Sequence, residues 1–332
     1  MNLPFPGWMC NDLRRIIRFF AVVVLVLNAC RADHKAPLSR RIGLGEKLFY
    51  STILSDDGSV SCATCHQAGR AFSDGLQRSA GLGGRLAQRN APGLFNLERR
   101  APYLSEGGVR TLEEVVIAPL HDSVEMGSNI GRVVYRLWQD TLWLHHWLSV
   151  WDSLPSPHTV TKCLADYLRT LKSESSRADR YYRGNTTLLS AQELAGARIF
   201  TRPDVGCARC HHGPDLTDNQ FHNVGVAPQS KDQGRYRLSF EPGDFGRFKT
   251  PSLRNLRFTA PFMHDGSLPT LAEVIDHYTH PGHPFSSQDE ISNPIVLNPE
   301  EKKCLEAFLF IFTDSDFVEV RRRRERLLGL AP

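Results

Sequence analysis

Cys62-Ala63-Thr64-Cys65-His66 and Cys207-Ala208-Arg209-Cys210-His211 repeat one short pattern, C-x-x-C-H, at an offset of 145 residues. Two cysteines one helical turn apart can each form a thioether with a haem vinyl group, and the adjacent histidine then lies beneath the iron as proximal ligand. A zinc site would need four ligands per metal, with two pairs close together. A thioredoxin-type redox pair needs no histidine and belongs in an α/β pattern. Each string is therefore an attachment site for a covalently bound haem c. Cys62, Cys65, Cys207 and Cys210 hold the two macrocycles, and His66 and His211 ligate the two irons.

The chain has 332 residues, enough for two domains with separate cores, and a formal charge of +4. Arg14, Arg15 and Arg18 against Asp12 give residues 1–29 a charge of +2, leaving +2 for the rest. Arg321 to Arg324 with Glu325 and Arg326 carry +4, so the remaining body is slightly acidic. That argues against a nucleic-acid binder, which needs a basic face. The basic tail, 319–332, reads as a solvated, frayed terminus. At the other end, three arginines precede the apolar run Phe19 to Leu27, too short to span a bilayer but suited to a signal peptide over 1–29. Leu27-Asn28-Ala29-Cys30 resembles a lipoprotein box, which leaves a lipid anchor at Cys30 and ordinary cleavage as two outcomes. Either takes the mature chain to the periplasm. Cys163 and Cys304 lie in apolar helical surroundings and read as buried thiols.

An internal repeat extends beyond the two haem strings. Ala101 to Val116 matches Ala260 to Ile275 at an offset of 159, with seven of sixteen positions identical, and Pro92 to Leu97 matches Pro251 to Leu256 at the same offset. The two offsets differ by fourteen residues, which places an insertion in the second unit around 228–245. One haem domain, duplicated, accounts for this, with domains over 38–175 and 185–318 and the boundary in the polar stretch Ser173–Asn185. Thr111 with Glu114, and Thr270 with Glu273, have capping-box spacing. Leu271, Val274, Ile275 and Tyr278 fall on one helical face, and Asn298-Pro299 opens a last helix with Cys304, Leu305, Phe308 and Leu309 on its apolar side. No sustained alternation marks strands. The fold class is all-α: two cytochrome c-like domains with long loops.

Several strings carry a resemblance. Gly43-Leu-Gly-Glu-Lys-Leu-Phe49, Arg89-Asn-Ala-Pro92, Val124-Glu-Met126, Phe248-Lys-Thr-Pro-Ser-Leu-Arg-Asn255 and Ala260-Pro-Phe-Met-His-Asp-Gly266 resemble the bacterial di-haem cytochrome c peroxidases, including the MauG group. The similarity runs from about 40 to 315. It implies one haem that activates hydrogen peroxide and a second that relays electrons. The electrons would come from a small periplasmic donor such as a cytochrome c or cupredoxin, or from a protein substrate.

Most of the family caps the first iron with a histidine from the following loop. Residues 67–120 contain no histidine, so the first haem is expected to be open, as in the MauG group. Position 278 minus 159 is Pro119, which offers no ligand there. For the second iron the resemblance assigns Tyr278 as sixth ligand, whereas its place on an apolar face also suits a core tyrosine; Met263 and His277 are alternatives. A tyrosinate would lower the potential relative to methionine, because a hard anion favours the more oxidised iron. The resemblance also makes Glu125 the distal acid, with His121 one turn away, and gives Arg254 a haem propionate. It places His264 near the second haem. Asn90 and the carbonyls of Thr259 and Pro261 would bind calcium, an oxygen-only set that suits that ion. Two positions depart from the family: Ser105 replaces its inter-haem tryptophan and Val115 its distal glutamine. Tyr103 is a candidate substitute for the first. These departures keep open an alternative function, a di-haem electron carrier without peroxide chemistry.

Overall fold

A computed structural model describes residues 36–226, 232–280 and 294–330. The expected signal segment, 1–29, and Cys30 lie outside the described residues. The elements are α1 Leu38–Tyr50, α2 Cys62–Cys65, α3 Leu112–Val115, α4 Ile117–His121, α5 Ile130–Gln139, α6 Thr141–Leu148, α7 Pro157–Leu168, α8 Arg177–Tyr182, α9 Ala191–Thr201, α10 Cys207–Cys210, α11 Tyr236–Ser239, α12 Leu271–Thr279, α13 Pro299–Phe310 and α14 Ser315–Leu327. The described strands are β1 Phe221–His222 and β2 Phe248–Lys249, paired antiparallel with Phe221 opposite Lys249. The molecule is thus mostly helical with little strand.

Each half is built on one close helix crossing. α1 packs on α7, and α9 packs on α13. A Cβ at Gly45 would lie 1.9 Å from the Cys163 carbonyl oxygen, and one at Gly196 would lie 2.0 Å from that of Cys304. Only glycine permits these approaches. Cys163 and Cys304 are buried as expected, each on the helix that its glycine meets, and Cys163 Sγ accepts a hydrogen bond from Trp151 Nε1.

Other features recur at the 159-residue offset. Thr111 and Thr270 both cap their helices reciprocally with Glu114 and Glu273. Tyr103 bridges Val109 as Phe262 bridges Leu268. Ala101–Pro102 and Ala260–Pro261 are both cis, and Asn96 and Asn255 share the left-handed backbone region. The helix expected after Thr111 is broken into α3 and α4, whereas α12 runs unbroken.

In the polar stretch 173–185 Ser176 caps α8 through Asp179, and Ser173, Ser176 and Ala178 are fully buried. One expectation is corrected: the basic tail is not frayed to 327. α14 crosses back onto the first half, where Phe317 and Val318 join the core of Leu48, Phe49 and Phe72. Arg324 holds buried Glu46 through two hydrogen bonds of 2.5 Å. The second half has its own core, centred on Ile199, Leu256, Leu305 and Phe308.

Candidate haem centres and their surroundings

At the first C-x-x-C-H string, Ser61 and Thr64 cap α2 and present Cys62 and Cys65 one turn apart. His66 follows in non-helical backbone, and its Nδ1 lies 2.8 Å from the carbonyl oxygen of Phe72. At the second string α10 does the same work, and His211 Nδ1 lies 2.9 Å from the Leu216 oxygen. A backbone acceptor on Nδ1 leaves Nε2 free to ligate a metal and fixes the ring. Burial lowers the pKa of both histidines, favouring the neutral, ligating imidazole. Burial raises the pKa of Cys62 to about 12 and of Cys207 to about 11, the reverse of what a reactive redox thiol requires.

Glu125 lies near the first string, close enough for its charge to act on both Cys62 and Cys65. Its backbone is tightly held. Val124 and Glu125 N–H groups donate to Asp122 Oδ1 at 2.7 and 3.2 Å. Leu82 N–H donates to the Val124 carbonyl at 2.9 Å, and a Cβ at Gly81 would collide with that same oxygen at 2.0 Å. The glycine-rich loop is thus a clamp on the Glu125 segment. Burial first, and Asp122 second, raise the Glu125 pKa. His121 is exposed at the end of α4, and Val115 packs against the apolar core.

At the second string, Cys207, Cys210, His211 and Tyr278 line one cavity of about 330 Å³ at the junction of the two halves. Its wall is mostly apolar, and Asn90, Thr259 and Pro261 also contribute to it. Burial raises the Tyr278 pKa. Met263 and His264 line the same cavity, with the His264 ring stacked on Phe248 at 3.7 Å. His277 instead turns Nε2 to the Val224 carbonyl at 2.9 Å. Ser105 is in the wall, whereas the Tyr103 hydroxyl donates to the Leu97 carbonyl at 2.9 Å. Arg254 also reaches the wall, but its two terminal nitrogens fork onto Asp179 at 2.9 and 2.6 Å and its Nε donates to the Pro214 carbonyl. Asp179 is therefore the carboxylate that Arg254 holds in this structure. Cys210, Asp218 and His222 also converge, though the Cys210 sulfur belongs to the haem string.

Sequence reasoning missed Asp179, Lys249 and Arg100. Asp179 had a signal, its capping-box spacing from Ser176; the other two had none, since their neighbourhood is made by the meeting of the halves.

Paired C-x-x-C-H strings on two helical halves define a di-haem c-type protein. Residues 39–187 match the family model described as di-haem cytochrome c peroxidase. The chain is 32% identical to cytochrome-c peroxidase IdrP2 of Denitromonas iodatirespirans, over 90% of this chain and 92% of that protein. It is 34% identical to the methylamine utilization protein MauG of Methylorubrum extorquens, over 81% of this chain and 77% of that one. A solved MauG-like protein associated with microbial copper homeostasis superposes with a TM-score of 0.77 at 30% identity, covering 84% of this chain and 91% of that one. The chain belongs to the di-haem cytochrome c peroxidase family, and so is an oxidoreductase of peroxidase type with two haem c groups. Among the described residues no helix is long and apolar enough to cross a membrane.

Proposed function

We propose that the chain reacts with hydrogen peroxide at the haem held by Cys62, Cys65 and His66, and relays electrons through the haem held by Cys207, Cys210 and His211. The observation that carries this reading is the asymmetry of the two sites. A carboxyl group, Glu125, on a clamped backbone segment lies near the first string, and a phenol, Tyr278, shares the cavity of the second. The first iron then supplies the redox chemistry. Glu125 takes a proton from the bound peroxide and returns it to the leaving oxygen. Its raised pKa brings it closer to the pH at which one group can do both. Tyr278 is the residue that would hold the second iron opposite His211's haem string. Burial keeps the proton on the free phenol, and a ferric ion would displace it. Asn90, Thr259 and Pro261 hold calcium at the junction, and the halves descend from one duplicated haem domain, as the recurring features at offset 159 suggest. The units are 38–175 and 185–318, with α14 returning to the first. The leader exports the chain to the periplasm, with Cys30 its point of lipid attachment if the box is used. There a small cytochrome c or cupredoxin, or a protein substrate, supplies electrons.

The test is the spectrum of the purified holoprotein. A high-spin ferric signal that shifts with peroxide is expected. Two low-spin haems silent to peroxide would establish the alternative, the electron carrier that Ser105 in place of the inter-haem tryptophan favours. Glu125→Gln should slow the peroxide reaction by about 10²–10⁴-fold with haem content unchanged.

A further inference from the structure

The cavity beside Tyr278 has a charge imbalance. Arg254, the cation that the sequence offers to a propionate, already has Asp179 bidentate on its fork. Two other cations reach the cavity wall, Arg100 from the first half and Lys249 from β2 of the second. The Arg100 guanidinium makes one long hydrogen bond, 3.3 Å to the Phe95 carbonyl, and lies over the Phe95 ring at 5.4 Å. Lys249 Nζ donates to the Arg100 carbonyl, and the Lys249 backbone N–H holds the Ser105 carbonyl at 2.8 Å. Neither forms an ion pair with a carboxylate among the described residues. The acid closest in effect to Arg100 is Asp215, whose oxygens are taken by Arg99 and Asn96.

Two neighbouring, partly buried cations without a counter-ion are unfavourable, since each loses hydration and repels the other. Burial lowers the pKa of both, and Arg100 adds to the effect on Lys249, which falls to about 7. A haem in this cavity brings two carboxylates, equal in number to the unpaired cations. Ser105, small and in the same wall, leaves space for them.

We propose that Arg100 and Lys249 receive the propionate carboxylates of the second haem, so that the first half of the chain clamps a cofactor attached to the other. This rests on the reading that a haem is bound at Cys207 and Cys210. The clamp ties the second haem to the domain junction and places two positive charges beside it, which favours its ferrous state.

The experiment uses the holoprotein and Lys249→Met, Arg100→Met, the double variant and Lys249→Arg. Haem is first counted as the pyridine haemochrome. Fewer than two haems in the wild type would overturn the underlying reading, and the clamp with it. With two haems bound, the second haem's midpoint potential is measured by spectroelectrochemical titration. The double variant should shift its ferric/ferrous equilibrium at least about tenfold toward ferric, 59 mV for a one-electron couple, and Lys249→Arg should stay close to wild type. Unmoved potentials in both methionine variants overturn the proposal. Where a methionine variant does not fold, the charge-conserving Lys249→Arg is compared with wild type by resonance Raman. Its propionate bending band should shift, because a guanidinium replaces an ammonium at the carboxylate; an unchanged band overturns the clamp.

Discussion

Asn96 and Asn255, 159 residues apart, close on the same residue, Ser173. Asn96 accepts from the Ser173 N–H at 2.8 Å and donates to its carbonyl at 2.9 Å, while Asn255 donates to the Ser173 hydroxyl at 3.0 Å and accepts from the Asp314 N–H at 2.8 Å. Both asparagines are buried in left-handed backbone, where a short polar side chain is tolerated best. The equivalent loops of the two halves are thus fastened to one point of the connection between them. Replacing either asparagine by alanine strands buried polar groups and adds backbone strain. Each variant should lose about 2–3 kcal/mol in urea unfolding, and loss below about 0.5 kcal/mol would show that the fastening is dispensable.

The returning helix α14 is a second fastening. Phe317 is buried against Phe72 and Phe95 of the first half, with ring centroids 6.0 and 6.5 Å away. Phe317→Ala should cost about 3–4 kcal/mol, since the aromatic ring leaves a cavity that rigid neighbours do not fill. Arg324→Ala should cost only about 1 kcal/mol, because Arg324 is half exposed although Glu46 is buried. A thermal unfolding series in which Arg324→Ala proves the more damaging would contradict this ordering.

What was legible in the sequence is what short spacing encodes. The haem strings, the capping boxes at Thr111 and Thr270 and the buried Cys163 and Cys304 all follow from local pattern. Residues 319–327 did not, because Arg321 to Arg324 dominate the composition while the contacts that dock the helix come from Phe317, Val318 and buried Glu325, isolated in sequence. Asp179 was hidden in a run of serines and arginines that resembles a linker until its partner Arg254 is in view. Arg100 and Lys249 have no local signal, since their shared setting is created only when the halves meet.

Tyr278 offers a direct electrochemical prediction. Its phenol shares a mostly apolar cavity with His211. If it is the sixth ligand, Tyr278→Met exchanges a hard anionic oxygen for a neutral thioether and withdraws stabilisation from ferric iron. The second haem's potential should then rise by on the order of 0.1 V with both haems retained. A potential that stays put would return Tyr278 to the role of a core residue.

Glu125 gives a prediction with a sign in pH. Burial and the neighbouring Asp122 both disfavour its charged form, so its pKa lies above that of an ordinary glutamate. In the proposed function the base that receives the peroxide proton is the Glu125 carboxylate. The second-order rate with peroxide should therefore rise with pH through a midpoint above the usual carboxylate range and then level off, and Glu125→Gln should abolish that limb. Asp122→Asn separates the two causes. Asparagine keeps the side-chain oxygen that accepts from the Val124 and Glu125 N–H groups, so the segment stays clamped while the charge is removed. The midpoint should move to lower pH, but not all the way to that of a free glutamate, because burial, the larger cause, remains. Stopped-flow rates between about pH 4 and 8 decide this. A midpoint that does not move in Asp122→Asn would remove Asp122 as a cause of the shift, and a limb that survives Glu125→Gln would mean that the titrating group is not Glu125.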